Sequence, residues 1–411
     1  MTVPIAARDI AAAVGALIVL AAAGSVVGTV IVPRNTGSRL TRLVTSVVNA
    51  VFRLVTWPVP GYRQRDRLLA GQAAVILLGQ LTVWLGSFYL GYTLLIWPVS
   101  ESIGTAFTSV GPALWTFGVP DPHGFYETAV LDTAAMAGLV TVTLQIAYLP
   151  HLYAAFNRRE NEIALLNSRA GTPSWGPELL ARTHYALGSG TSALDTLPEF
   201  YNQWERWAAD VTESHVTYSP LAWFRSPSYE ASWVTALLAV LDSAALYLSL
   251  SPEAAPSVPA RLCLRSGMVC LAEVSRSMGV KLPAEPRTDS GISLSYDEFL
   301  EAVTRLHEVS FPVERAPEDA WPHFAGWRVN YERNAYAIAA ALDAVPALWS
   351  GPRRQPSEPM APLRPGPGLP SLARLRVTGL GASRRLAGGK RNRREPPASL
   401  ARGRKNVRRG R

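Results

Sequence analysis

The stretch Ile10–Val32, IAAAVGALIVLAAAGSVVGTVIV, indicates the class of this protein, because it includes no charged side chain. A helix of this length reaches about 34 Å at about 1.5 Å per residue. That length exceeds the ~30 Å hydrocarbon layer of a membrane. A cleaved signal peptide is the alternative, but its apolar core is about 7–15 residues long and follows a basic start. Arg8 and Asp9 cancel in charge here, so we predict an uncleaved transmembrane helix within residues 1–35.

Further apolar runs follow along the chain. Leu68–Trp97 and Thr133–Phe156 are uncharged and long enough to be two more membrane spans. Trp233–Leu250 is a shorter run and contains Asp242. Because an unpaired acid is costly at the centre of a bilayer, we predict a buried helix of a water-facing domain there, with a fourth span as the alternative.

The charges of the loops predict the orientation of the spans. Residues 33–67 hold seven Arg and one acid, and Arg158 and Arg159 follow the third apolar run. Residues 98–132, between the second and third runs, hold four acids and no Lys or Arg. Basic loops stay in the cytoplasm. Only three of the 40 basic residues are Lys, a bias typical of a GC-rich bacterial genome. We therefore expect a multi-pass protein of the bacterial cell membrane, with its N-terminus outside and residues after 157 in the cytoplasm.

Residues 36–60 form a separate element. Their apolar side chains recur at intervals of three and four, while arginines occupy the other face, which predicts an amphipathic helix over 36–57. Pro58 and Pro60 end it. Such a helix lies at the membrane surface, on the inner leaflet. Packing against the water-facing domain is the alternative. The apolar positions are Leu40, Leu43, Val44, Val47, Val48, Val51, Phe52 and Val55.

The segment between the second and third spans, SESIGTAFTSVGPALWTFGVPD over Ser100–Asp121, is too short and Gly-rich for a full span and too apolar for an ordinary loop. Non-helical backbone is tolerated at membrane depth only where it lines a cavity or is buried in protein. A half-helix from Ser102 to about Leu114, followed by an extended Thr116–Val119, would form a re-entrant segment. We predict this arrangement for residues 61–156, with two transmembrane helices around a pore-like loop at about 100–121.

This order of elements resembles the two-helix, potassium-channel-like module of the pore-loop cation channel superfamily. In that module an interfacial helix, an outer helix, a pore helix, a filter and an inner helix follow one another. The filter motif of the family is T-x-G-Y-G-D, and residues 116–121 here are TFGVPD. The resemblance implies a tetramer whose filter is formed by Thr116, Phe117, Gly118, Val119 and Asp121.

Two departures from the motif bear on selectivity. Val119 replaces the tyrosine and Pro120 replaces the second glycine. A potassium filter aims successive backbone carbonyls at the ion. Glycine permits the positive φ that this needs, whereas the ring of proline fixes φ in the negative range. We therefore expect a pore loop with altered selectivity.

Three other residues have a possible role in such a pore. Glu101 and Asp132 would form an acidic ring at the outer mouth of a tetramer, or they are ordinary solvated acids. Gly138 lies midway along the third span, where it is a candidate gating hinge. The alternative is a small residue that allows close helix packing.

Residues 157–350 are predicted to form a cytoplasmic helical domain. Helices fit 158–169, 197–214, 229–250, 258–280, 295–309 and 317–349, and Ser295 with Glu298 forms a capping box. Eight of the 12 tryptophans lie in this region, where core packing is their usual role. Residues 148–171, YLPHLYAAFNRRENEIALLNSRAG, and the Trp-rich part after them resemble channel-like membrane proteins of actinobacteria.

No motif predicts catalysis, a cofactor or a metal. The chain lacks a phosphate-binding loop, a dinucleotide fingerprint, an HExxH motif and cysteine pairs at metal spacing. Its six histidines are scattered, and Cys263 and Cys270 are too far apart on one helix for a disulfide. We predict that the protein is not an enzyme.

Residues 351–411 hold 17 basic residues against two acids and are rich in Pro and Gly. This composition predicts a disordered tail that contacts anionic lipid. Specific nucleic-acid binding is not expected, because no aromatic residues interleave the arginines.

Together these features predict an all-α membrane protein: transmembrane helices with a re-entrant pore-like segment, a cytoplasmic helical domain and a disordered basic tail. The predicted function is that of an oligomeric, ion-channel-like protein whose helical domain regulates the pore. The alternative is a non-conducting, membrane-anchored interaction or sensory protein.

Overall fold

Helices connected by short loops account for almost all of the regular structure. A computed structural model of the protein describes residues 4–32, 38–115, 118, 124–185, 193–280 and 291–351. Within these ranges there are α-helices and short 3-10 turns but no β-strand, so the all-α prediction is confirmed for this part of the chain. The helices are α1 Ile5–Val30, α2 Arg39–Thr56, α3 Tyr62–Leu69, α4 Gln72–Ile96, α5 Ile103–Leu114, α6 Phe125–Ala170, α7 Gly176–Tyr185, α8 Leu197–Thr217, α9 Trp233–Leu250, α10 Ser257–Ser277, α11 Tyr296–Glu308, α12 Pro317–Arg328 and α13 Glu332–Ala341.

Among the described residues, four helical segments are long and apolar enough to cross a membrane: α1, the stretch Tyr62–Val99, α6 and α9. The first three coincide with the three predicted spans to within two residues at their ends or contain them, so the prediction of a membrane protein is supported. The fourth, α9, differs from the others because every one of its residues is buried inside the protein. That burial agrees with the prediction of a core helix for Trp233–Leu250.

Helices α1 and α4 run antiparallel and approach very closely. A methyl group on Gly15 would lie 2.5 Å from the carbonyl oxygen of Gly91, and one on Gly91 would lie 3.0 Å from that of Gly15. Further along, the indole N–H of Trp84 donates a 2.9 Å hydrogen bond to the Ser25 hydroxyl. Small residues and buried hydrogen bonds are the usual means of holding helices together in a membrane, where lipid is as apolar as the side chains.

Helix α6 is one uninterrupted element of 46 residues. At about 1.5 Å per residue it is about 69 Å long, more than twice the thickness of a hydrocarbon layer. Its first half packs on α4 and α5, and its second half carries Ile163 and Leu166 into the core of the helical domain. The predicted boundary between span and domain at residues 156 and 157 therefore falls inside a helix, which continues past Pro150 as far as Ala170.

The helical domain packs α7, α8, α10, α12 and α13 around α9, while α11 packs on α7 and α12. Its core is rich in aromatic rings, such as Trp204 and Trp207, whose centroids are 4.6 Å apart, so the core role of these tryptophans is confirmed. The capping box of Ser295 and Glu298 is also confirmed. The single helix predicted for 317–349 is wrong: the chain turns after Arg328, and α13 begins at Glu332. This turn brings the Tyr331 hydroxyl to within 2.8 Å of the Asp242 carboxylate.

The spans and the helical domain share one core. Ala73 and Ile76 of α4 belong to the same buried cluster as α9. Residues Met1–Glu358 accordingly form one unit by their contacts. The predicted disordered tail lies outside the described residues, apart from Gly351.

Candidate functional site

The candidate site is the short helix α5 with its neighbours α4 and α6. As predicted, a half-helix begins after Ser102 and ends at Leu114. The Ser102 hydroxyl caps it by accepting a 3.1 Å hydrogen bond from the backbone N–H of Thr105, which satisfies one of the free donors at a helix start. Pro112 falls in the last turn, just before the helix ends.

Tyr89 holds α5 on α4. Its hydroxyl donates a 3.0 Å hydrogen bond to the Phe107 carbonyl, and the two rings lie 4.4 Å apart. The opposite neighbour is α6, which packs against the buried side chains of α5 at Ala106, Val110 and Ala113. One side of α5 therefore faces the protein, while Thr105, Phe107 and Thr108 remain exposed.

The end of α5 lies against the backbone of α6. A methyl group on Gly138 would lie 2.1 Å from the carbonyl oxygen of Leu114, far inside van der Waals contact. Only glycine permits this approach. Of the two interpretations of Gly138, hinge or packing residue, the contact supports packing, and the hinge stays a prediction.

Most of the predicted filter lies outside the described residues, namely Thr116, Phe117, Val119, Pro120 and Asp121. Gly118 is described, and it is exposed with a φ of 122°. Such a backbone conformation favours glycine.

The two predicted outer-mouth acids are both exposed. Glu101 lies just before α5, and Asp132 lies two turns into α6. A single chain does not test an acidic ring, so that role stays a prediction.

Two buried amides in the spans were not singled out from the sequence. Gln80 of α4 and Gln145 of α6 are buried, and neither the Nε2 donor of Gln80 nor the Oε1 acceptor of Gln145 has a hydrogen-bond partner in the described part of the chain. The helices run antiparallel, since the Tyr92 hydroxyl bonds the Thr133 carbonyl while Leu77 shares a cluster with Tyr148. The two amides therefore lie at a similar level. Their signal in the sequence was a polar amide inside each apolar run.

Arg159 fixes the C-terminal half of α6 in the helical domain. Its guanidinium is fully buried and donates to the carbonyls of Leu221, at 3.1 Å, and Phe224, at 2.8 Å. It also pairs with Glu160 and lies 3.0 Å from Nε2 of His215. Burial, and then the charge of Arg159, hold the pKa of His215 well below its ordinary value of 6.5. His215 is therefore neutral and accepts this hydrogen bond.

The buried neutral His215 predicts a loss of stability in acid. The unfolded chain binds a proton near pH 6.5 and the folded chain does not, so stability falls as the pH falls below that value, by up to about 1.4 kcal/mol per pH unit. We expect the thermal unfolding midpoint of the detergent-solubilised protein to fall between pH 7 and pH 5, and His215→Gln to make this fall smaller. An equal pH dependence in both proteins would contradict the assignment.

A second arginine joins the helical domain to the start of α4. Arg225 donates to Asp66 of α3 at 2.5 Å, to the Leu342 carbonyl at 2.6 Å and to the Tyr62 hydroxyl at 3.0 Å. Nearby, Arg65 of α3 pairs with Asp343 at 2.8 Å. These partners are so distant in sequence that no spacing could reveal them. Because α3 leads directly into α4, the joint couples the domain to that span.

The described ranges contain no group of three or more His, Cys, Asp or Glu side chains that could hold a metal. Cys263 and Cys270 are buried and free. Burial raises the pKa of the Cys270 thiol to about 12 and raises that of Cys263 as well. Such thiols are unreactive.

Comparisons of the chain with protein-family models, with curated proteins and with solved structures found no match.

Proposed function

We propose that the protein is an oligomeric, channel-like protein of the bacterial cell membrane. Helices α4, α5 and α6 form its pore-loop module, and the helical domain regulates it. The observation that carries the proposal is the position of Leu114, at the end of α5, beside the middle of the membrane part of α6. This function needs no catalytic residue and no cofactor.

The depth of α5 supports a re-entrant segment. Gly138 lies about 20 Å along α6 from its start at Phe125, at about 1.5 Å per residue. Leu114 lies at that depth, and the chain has to return from there to Phe125, where α6 begins. The roughly 11 residues of this return reach at most about 36 Å, so an extended segment can cover the distance. The proposed filter residues belong to this return.

The electrostatics of α5 support a cation as the transported ion. The carbonyl groups at the end of a helix carry a partial negative charge, equivalent to about half an elementary charge. The end of α5 at Leu114 therefore favours a cation nearby. Asp132 adds a full negative charge on the exposed side of α6, nearer the start of that helix.

The exposed side of α6 supports assembly. Met136, Leu139 and Val140 are exposed on a single chain, although they lie in an apolar span. Lipid or a second copy has to cover them. A single pore-loop module requires about four copies around an axis, so we propose a homotetramer.

The charges also support the proposed orientation. The helical domain lies at the end of α6 that carries Arg158 and Arg159, and basic residues mark the cytoplasmic side. We propose that residues after 157 are cytoplasmic, that the N-terminus is outside, and that the basic tail contacts anionic lipid.

Single-channel recording in planar bilayers tests the proposal. We expect cation currents from the purified protein, and we expect Gly118→Ala to reduce them at least tenfold, because its φ of 122° strains any side chain. Phe117→Ala should change the ion selectivity. Gly86→Ala is the matched control, since a methyl group on Gly86 meets no atom within 4 Å.

The oligomeric state distinguishes the alternative. The channel proposal would be overturned if the protein were a monomer in detergent or carried no current. It would also be overturned if the substitutions at Phe117 and Gly118 left the current unchanged. The protein would then be a membrane-anchored interaction or sensory protein, whose helical domain binds a partner.

A further inference from the structure

The polar side of α2 faces the helical domain across a cavity of about 520 Å³. On the α2 side the cavity is lined by Arg42, Ser46 and Asn49, among others. On the domain side it is lined by Ser219 and by Arg276 and Ser277 at the end of α10. A second cavity of about 290 Å³ is its neighbour, because Asn49 and Trp223 line both.

The lining of the larger cavity is cationic and rich in hydrogen-bond donors. Arg42 and Arg276 contribute two positive charges, and no described carboxylate lines the cavity. Arg42 forms no ion pair within the described ranges, whereas Arg276 pairs with Glu273 on its own helix at 2.7 Å. The hydroxyls of Ser46 and Ser219 have no hydrogen-bond partner in the part of the chain that the structure describes. Guanidinium and hydroxyl donors of this kind match the oxygens of a phosphate group.

The other sides of α2 indicate which kind of molecule would carry a phosphate group into the cavity. One side packs on α4, where Val44 meets Gly79 and the Gln72 amide donates a 2.8 Å hydrogen bond to Asn49. A neighbouring side presents large apolar side chains that are at least half exposed, at Leu43, Val47, Val51 and Leu54. The predicted apolar stripe is thus divided between a packed part and an exposed part. Acyl chains can cover the exposed part while a headgroup enters the cavity beside it.

We propose that this cavity binds the phosphate headgroup of an anionic phospholipid, whose acyl chains lie on the exposed apolar side of α2. The bound lipid bridges α2 and the end of α10, two elements otherwise separated by the cavity. This proposal does not depend on conduction, and it holds equally for a non-conducting anchor.

Native mass spectrometry of the full chain with phosphatidylglycerol tests the site. We expect the wild-type protein to retain an anionic lipid through detergent exchange, and the double variant Arg42→Gln, Arg276→Gln to bind it at least tenfold more weakly. The matched control combines Arg261→Gln with Arg265→Gln. These two arginines of α10 are exposed and lie away from the cavity, and their replacement removes the same amount of charge. Ser46→Glu is a second variant, which places a carboxylate in the cavity from an exposed position and should abolish retention.

Each outcome decides between lipid, free phosphate and nonspecific charge. Equal retention by the wild type and the cavity variants would overturn the proposal, and so would an equal loss in the control variant. Displacement of the lipid by millimolar inorganic phosphate would assign the cavity to a soluble anion and overturn the lipid assignment. Thermal unfolding of each variant, measured without added lipid, shows whether it is folded.

Discussion

Arg328→Met should unfold the helical domain, or lower its free energy of unfolding by about 3–5 kcal/mol, as expected for breaking a buried ion pair. Arg328 has no exposed surface and contacts Asp242 of α9 and Glu332 of α13. It also donates to the Tyr336 hydroxyl at 2.9 Å and to the Trp349 carbonyl at 2.6 Å. Methionine fills similar space but leaves two buried carboxylates without their countercharge. Because domains are stable by only about 5–15 kcal/mol, the loss is large.

Chemical denaturation of the detergent-solubilised protein measures this effect. The control is Arg276→Met, since that arginine is two-thirds exposed in its pair with Glu273 and such pairs contribute at most about 1 kcal/mol. A second change, Asp242→Asn, made in the Arg328→Met background should recover part of the loss by removing one uncompensated charge. Equal stabilities of the Arg328→Met and Arg276→Met proteins would show that the buried network does not stabilise the fold.

Gly138→Ala should push the end of α5 away from α6 and remove the proposed conduction. The added methyl group would lie 2.1 Å from the carbonyl oxygen of Leu114, and a backbone atom cannot rotate away as a side chain can. Overpacking of this kind costs about 1–3 kcal/mol. We expect a lower thermal unfolding midpoint in detergent together with the loss of current.

The control for this variant is again Gly86→Ala, which adds the same methyl group to α4 in open space. Alanine favours a helix over glycine, so this control should be neutral or slightly stabilising. Wild-type stability in Gly138→Ala would mean that α5 does not pack where the structure places it. Loss of stability without loss of current would separate the packing role of Gly138 from the pore.

The sequence alone predicts the elements that depend on local composition. Uncharged runs identify α1, α4 and α6, and the acid within Trp233–Leu250 favours a buried helix, in agreement with the complete burial of α9. Ser102 and Ser295 mark the starts of α5 and α11, because a capping hydroxyl acts on backbone groups close to it in sequence.

Features that join distant parts of the chain could not be predicted in this way. The residues next to Asp242 in the sequence are mostly apolar, and its partner Arg328 is 86 positions away. Arg225 and Asp66 are separated by 159 positions. A periodic pattern reports which face of a helix is apolar, but it does not report which helix lies opposite. For the same reason the cavity beside α2 was not foreseen, although each of its arginines is visible in the sequence.

The continuity of α6 gives the protein mechanical leverage. Gly138 and the end of α5 lie near one end of this rod, and Ala170 lies about 48 Å further on, at about 1.5 Å per residue. A tilt of about 5° around Gly138 would therefore displace Ala170 by about 4 Å. In the opposite sense, a straight α6 would carry a displacement of the helices packed around Arg159 to the end of α5 as a smaller movement. Pro150 lies between the two, and it is the position at which the helix would bend instead.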